Sequence, residues 1–311
     1  MILNNKKVKD TVNSFAQKYK KECSLYFNVS DQQSLGIIFS LISLVIKKDS
    51  RLYLDEILHQ RHIKKLHSIM DELIIKKKPF AYIMGGIPFL NTYIKLTPPI
   101  LIPRQETEYF TQLIISVLKN AQIQKCKIVD ICSGSGCIGI AILKELVDAT
   151  CDAFDNNPMA CNLALKNARS NKISRKRFTM TEACLRTIQM NNQYDCVVSN
   201  PPYISQKEYD QLDESVKNWE DYNALCDGEN GSLYVHLLVQ RCMHMMTQNG
   251  IGFIECNSHN VEQIHTHYKA NGMYKLCELV YDQNKKPRYL VISNSKTWKD
   301  ILTQCINGLR Q

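Results

Sequence analysis

The spacing of hydrophobic positions changes character along the chain. Through residues 8–76, apolar side chains recur every three to four positions, in S-F-A-Q-K-Y-K-K, S-L-G-I-I-F-S-L-I-S-L-V-I-K-K, Y-L-D-E-I-L and I-K-K-L-H-S-I-M-D-E-L-I-I-K-K-K. That is the period of helices burying one face, and it predicts a small all-α domain over residues 1–78. Pro79 ends the pattern, and Gly85, Gly86, Pro88, Pro98 and Pro99 punctuate the short segments that follow. Residues 79–105 therefore read as a hairpin-like linker rather than a further helix. From Glu106 onward, strand-like runs at 127–132, 150–155, 177–181, 194–199, 250–256, 274–281 and 288–293 alternate with stretches such as C-I-G-I-A-I-L-K-E-L and P-M-A-C-N-L-A-L-K-N-A-R. The alternation predicts an α/β domain over 106–311, a mostly parallel sheet with helices on both faces. The last two runs, joined by D-Q-N-K-K-P, are close enough to form an antiparallel hairpin at one edge.

Two of the strand ends carry candidate chemistry. The first runs into V-D-I-C-S-G-S-G-C-I-G-I-A-I, residues 129–142. A glycine-rich turn between a strand and a helix brings backbone close to a ligand, because Gly134 and Gly136 present no side chain. The spacing departs from G-x-G-x-x-G and lacks the G-K-[ST] ending of a phosphate loop. Asp155 ends the next strand, where a carboxylate can accept hydrogen bonds from ribose hydroxyls; capping the following helix is the plainer alternative. The fourth run ends in N-P-P-Y, Asn200 to Tyr203. Pro201 and Pro202 stiffen the loop and have no N–H, so they leave carbonyl acceptors with few donors nearby. Asn200 adds an amide oxygen and Tyr203 an aromatic face, a combination suited to a planar NH2 group. A proline-stiffened turn without a ligand is the alternative.

Composition narrows the setting. The apolar run at 35–46 is too short to span a bilayer and is followed by Lys47 and Lys48, and the first ten residues have no apolar leader segment. A cytoplasmic protein without membrane association is expected. Its 13 cysteines are odd in number and form no C-x-x-C, which predicts reduced core thiols, and no metal-ligand spacing is present. The formal charge of +9 is concentrated at the start, where residues 1–78 hold 15 Lys or Arg against 8 Asp or Glu. Such a surface attracts nucleic acid or an acidic protein, or is simply a solvated helical face.

N-P-P-Y after a strand, with D-x-x-x-G-S-G upstream, resembles the S-adenosylmethionine-dependent methyltransferases that modify planar nitrogens, adenine N6 or glutamine N5. P-F-A-Y-I-M-G-G-I-P-F at 79–89 and L-I-P-R-Q-E-T-E at 101–108 are similar to the linker of the HemK/PrmC family, which methylates the glutamine of the G-G-Q loop in peptide chain release factors. The resemblance implies a Rossmann-like methyltransferase domain behind a substrate-docking helical domain. It implies that Asp130, Cys132, Ser133, Gly134, Ser135, Gly136, Asp155 and Asn200 bind S-adenosylmethionine, and that Asn200, Pro201, Pro202 and Tyr203 hold the glutamine amide. A monomer acting on a release factor, without metal and without direct nucleic-acid binding, is expected. Glutamine methylation of a ribosomal protein and adenine-N6 methylation of DNA or RNA stay open as alternatives. Gln105 and Asp221 stand where the family has proline, Ala183 where it has an aromatic residue, and E-C-N-S-H-N at 255–260 replaces E-I-G-x-x-Q.

Overall fold

The computed structural model describes residues 6–27, 30–123, 125–188 and 193–309. They form two units, one running to Gly85 and taking in Glu214–Trp219, the other comprising Gly86–Asp213 and Glu220 onward.

The first unit begins with a two-residue strand β1 (Lys6–Lys7), followed by α1 (Val8–Phe27) and α2 (Asp31–Ile46). It continues through β2 (Ile57–Leu58) and α3 (Gln60–Ile74) to α4 (Phe80–Met84). A capping box starts α2: the Ser30 hydroxyl accepts from the Gln33 N–H, and the Gln33 side chain accepts from the Ser30 N–H. Phe15, Ile38, Leu41, Ile42, Leu66, Met70 and Leu73 pack as one buried cluster, the apolar stripes of three helices meeting. Two expectations fail here. In Y-L-D-E-I-L, residues 53–56 are irregular and Ile57–Leu58 pairs with β1, because six residues of apolar spacing yield to backbone pairing. Phe80–Met84 is a helical turn rather than part of an extended linker: Pro79 precedes it as N-cap, where no N–H is required, and Gly85 closes it in the left-handed conformation at φ 77°.

The second unit opens with the antiparallel hairpin β3 (Gly86–Phe89) and β4 (Thr92–Lys95), then α5 (Gln105–Asn120). Next come β5 (Lys127–Ile131), α6 (Cys137–Glu145), β6 (Thr150–Asp155), α7 (Pro158–Ser170), β7 (Phe178–Glu182) and β8 (Tyr194–Ser199). The short helices α8 (Gln206–Asp210), α9 (Glu214–Lys217, in the first unit) and α10 (Tyr222–Leu225) lead to α11 (Leu233–Met245). The chain ends with β9 (Met246–Glu255), α12 (Val261–Ala270), β10 (Leu276–Tyr281), β11 (Pro287–Ser293) and α13 (Trp298–Leu309).

These strands make a seven-stranded sheet in the order β10-β11-β9-β8-β5-β6-β7. β11 is antiparallel to both neighbours, and the other pairs are parallel. From β5 the chain builds outward through β6 and β7, then returns to the opposite side of β5 as β8. The strand order thus reverses between β5 and β8, and a crevice opens at their carboxyl ends, where doubly wound sheets bind ligands.

Candidate active site

Register alone assembles the site. Ile131 pairs with Phe154 on one side and Ser199 on the other, and Ser199 pairs with Ile254. The residues immediately following, Cys132, Asp155, Asn200 and Glu255, therefore stand in one row along the carboxyl edge. The Ser199 hydroxyl donates to the Ile131 carbonyl at 2.7 Å, tying β8 to β5 just below that row.

At the end of β5, Cys132, Gly134 and Gly136 all adopt positive φ, at 58°, 55° and 80°. Asp130 holds this turn from behind: its fully buried Oδ2 accepts from the Ser133 hydroxyl at 2.7 Å and the Gly139 N–H at 3.1 Å. Burial pushes the Asp130 carboxyl up to about 7, against the lowering effect of those two bonds. Gly134 has open space where a side chain would be, and its N–H donates to Asp155 Oδ2 at 2.8 Å. Asp155 Oδ1 accepts from the Asn157 N–H at 2.9 Å, and burial raises this carboxyl too.

A cleft with about 1040 Å³ of empty space, open solvent included, lies over the row. Of the residues expected in the site, Cys132, Gly134, Asp155, Asn200 and Pro202 form its wall, joined by Leu101, Phe154, Ala183, Leu185, Tyr222, Asp227 and Tyr234. Asp130, Ser133, Ser135 and Gly136 do not line it, and the Ser135 carbonyl accepts from Asn167 Nδ2 at 2.9 Å. Pro201 and Tyr203 likewise support the wall without lining it.

The N-P-P-Y loop is held at both ends, at Asn200 and at Tyr203. Asn200 Nδ2 donates to the Thr107 hydroxyl at 3.0 Å, and both prolines are buried. The Tyr203 phenol donates to Glu255 Oε1 at 2.8 Å, and its carbonyl accepts from Asn257 Nδ2 at 3.1 Å. Burial, then the Glu255 charge, raises the phenol well above its ordinary pKa. Beyond it, the Ile204 N–H donates to the Leu225 carbonyl at 3.0 Å, and the Ile204 carbonyl accepts from Asp227 at 3.1 Å. Among the described residues no donor reaches Asn200 Oδ1 or the Pro201 carbonyl. The segment from Glu220 forms one side of the cleft: Asp221 Oδ2 accepts from Asn157 Nδ2 at 2.8 Å, and buried Glu220 accepts from Arg104 at 2.7 Å and the Ile102 N–H at 2.9 Å.

Thr107, Asn157, Glu255 and Asn257 are members of this site that motif reading passed over. Only Glu255 carried a visible signal, an acid closing the apolar run G-I-G-F-I-E. Chemically, the wall presents the carboxylates of Asp155, Asp221 and Asp227 with no Lys, Arg or His among its described residues. That fits a cationic ligand bearing hydroxyls. No group of three His, Cys, Asp or Glu among the described residues is placed to hold a metal ion, and no described helix is long and apolar enough to cross a membrane.

Residues 100–220 match the family model described as the methyltransferase small domain. The release factor glutamine methyltransferase of Chlamydia trachomatis is 34% identical over 197 residues, which span 63% of this chain and 66% of that protein, just under two thirds of its length. The protein of the same name from Coxiella burnetii is 31% identical over 204 residues, 66% of this chain and 71% of its own. That of Thermodesulfovibrio yellowstonii is 27% identical over 294 residues, covering 94% of this chain and 98% of its own. Among solved structures, the hMettl16 catalytic domain in complex with a MAT2A 3'UTR hairpin shares the fold at a TM-score of 0.50 and 13% identity, over 78% of this chain and 86% of that one.

Proposed function

We propose that this chain, which belongs to the release factor glutamine methyltransferase family, transfers a methyl group from S-adenosylmethionine to the side-chain amide nitrogen of a glutamine, and that this glutamine lies in the Gly-Gly-Gln loop of a peptide chain release factor. The observation that carries the reading is the pair of acceptors, Asn200 Oδ1 in the cleft wall and the Pro201 carbonyl next to it in the chain, neither reached by a donor among the described residues. An amide NH2 has two hydrogens to place, and two fixed acceptors orient it.

An amide nitrogen is a poor nucleophile because its lone pair is delocalised into the carbonyl. Orientation therefore supplies what a base cannot. With both hydrogens held in the plane of the amide, the nitrogen turns its face to the electrophile. Once the nitrogen has taken the methyl carbon it sheds a proton readily, since an N-protonated amide is a strong acid; no buried base is required. S-adenosylmethionine, when bound, supplies a methyl group on a sulfonium leaving group. The Gly134 backbone and Cys132 would hold it against the β5 turn, and Asp155 would take its ribose hydroxyls. The acidic wall suits its positive charge.

The basic first unit is assigned to docking of the protein substrate, where charge speeds encounter. The test is mass spectrometry of a purified release factor incubated with the enzyme and S-adenosylmethionine. One added methyl on the Gly-Gly-Gln peptide is expected. An unmodified peptide, with labelled methyl passing into nucleic acid or a ribosomal protein instead, overturns the reading.

A further inference from the structure

The linker motif L-I-P-R-Q-E-T-E places Thr107 in the first turn of α5, 93 positions before Asn200 in sequence, yet its hydroxyl oxygen accepts from Asn200 Nδ2 at 3.0 Å. Thr107 is only 2% exposed. A primary carboxamide is nearly symmetric in shape but has donors on one arm and an acceptor on the other. Either arm fits the same space, so a hydrogen-bond partner has to decide which one meets the substrate. Presented the wrong way, Asn200 would set its own NH2 against the substrate's NH2.

A hydroxyl can also donate, and Thr107 would hold the opposite flip equally well if its hydrogen were free to turn toward Asn200. Ionised, Glu255 competes for that hydrogen. It is fully buried, and its Oε2 has no hydrogen-bond partner of ordinary geometry among the described residues. Burial raises its carboxyl to about 7, and the Tyr203 and Thr107 hydroxyls both pull it back down, as donors to the charged form do. While ionised, it favours the arrangement in which the Thr107 hydrogen faces the carboxylate and the lone pair faces Asn200.

We propose that Thr107 is a positioning residue for methyl transfer: its hydroxyl oxygen, held in the first turn of α5, accepts from Nδ2 and fixes the Asn200 carboxamide so that Oδ1 is the arm offered to the substrate NH2. This rests on the glutamine-amide reading above. The experiment compares Thr107→Val, Thr107→Ala and Thr107→Ser with the wild type, measuring kcat and KM on a release factor, S-adenosylmethionine affinity by calorimetry, and thermal unfolding. Val keeps the shape without the oxygen, and Ala provides a second deletion should Val not fold.

Val and Ala should lower kcat by about 10- to 100-fold, the usual effect of leaving one buried donor unpaired, with donor affinity unchanged, and Ser should restore most of the rate. Wild-type kcat in Val or Ala, or a Ser variant as slow as both, overturns the assignment. So does a rate loss that only follows lost donor binding or folded fraction. A wild-type enzyme that leaves the release factor unmodified refutes the glutamine reading and this proposal with it, whereas an active wild type matched by Thr107→Val refutes the proposal alone.

Discussion

Replacing Glu255 by Gln should make the protein's stability less sensitive to pH. Glu255 is fully buried, and its carboxyl moves from an ordinary 4.5 to about 7, chiefly because burial penalises the charged form. A displacement of that size corresponds to about 3 kcal/mol of penalty on the carboxylate. Below 4.5 the group is protonated whether folded or unfolded, and it contributes nothing. Between 4.5 and about 7 the folded protein keeps the proton that the unfolded chain has lost, so stability falls as pH rises, and above that window the full penalty applies. Gln is neutral throughout and keeps an oxygen for the Tyr203 phenol. Asp130 carries a similar displacement to about 7 but is common to both proteins and cancels in the comparison. Urea unfolding of the wild type and Glu255→Gln from about pH 5 to about pH 8 reads the difference, which should move in favour of the variant by about 3 kcal/mol across the range, whatever constant offset the new NH2 introduces. A difference that stays flat would mean the carboxylate is charged throughout, compensated by nearby Arg288, and the reasoning from burial would fail.

Other consequences follow from the same geometry. Asn200→Ala removes one of the two acceptors and should slow transfer by about 100-fold or more, while calorimetry finds S-adenosylmethionine still bound. Gly231 sits at φ 80° with its missing side chain aimed at the Tyr203 carbonyl, so Gly231→Ala should cost about 1–3 kcal/mol in thermal or urea unfolding and lower activity by displacing the loop. Burial works to raise Glu208, but hydrogen bonds from Asn257, Ser205 and His259 prevail and hold it at about 2, down from 4.5. Its contribution is therefore complete above 4.5 and lost as pH falls toward 2, and Glu208→Gln should flatten the acid limb of an unfolding curve. Lys64 and Lys65 are exposed on the first unit, so changing both to Glu should raise KM for an intact release factor at low salt, leave a short Gly-Gly-Gln peptide unaffected, and lose its effect as salt increases.

The strands were legible because each is a short, mostly apolar run bounded by turn residues, and β5, β6 and β8 lie within a residue of their expected bounds. β9 starts earlier than its apolar run because Met246 pairs with Tyr194 before the exposed Gln248 and Asn249. Local polarity hid a pairing made across the sheet. The site divides along the same line. Gly134, Asp155 and Asn200 were legible as cleft residues because each lies at or just beyond a strand end and is of a residue type whose chemistry is local. Thr107 was not, because nothing in Q-E-T-E states that its hydroxyl will meet an asparagine far along the chain. Asn257 was unreadable for a related reason: it replaces a family glycine and acquires its function only by reaching both the Tyr203 carbonyl and Glu208.

On the proposed reading, the row at the sheet edge separates two kinds of recognition that would interfere if mixed. Toward β6 the wall is acidic, with Asp155 and Asp221 placed to attract a sulfonium donor but not its neutral thioether product. That difference favours exchange of spent product for fresh donor. Toward β8 the wall at Asn200 and Pro202 is uncharged, and the strong carboxylate nearby, Glu255, is kept behind the Tyr203 phenol. A charged oxygen in the place of Asn200 Oδ1 would bind an amide NH2 more tightly, but it would also compete for the cationic donor and draw it out of register. Neutral acceptors avoid this competition, provided that they are rigid enough to orient the amide without the help of charge. The prolines fix the backbone around the Pro201 carbonyl, and in the role proposed for it Thr107 does the same for the Asn200 side chain.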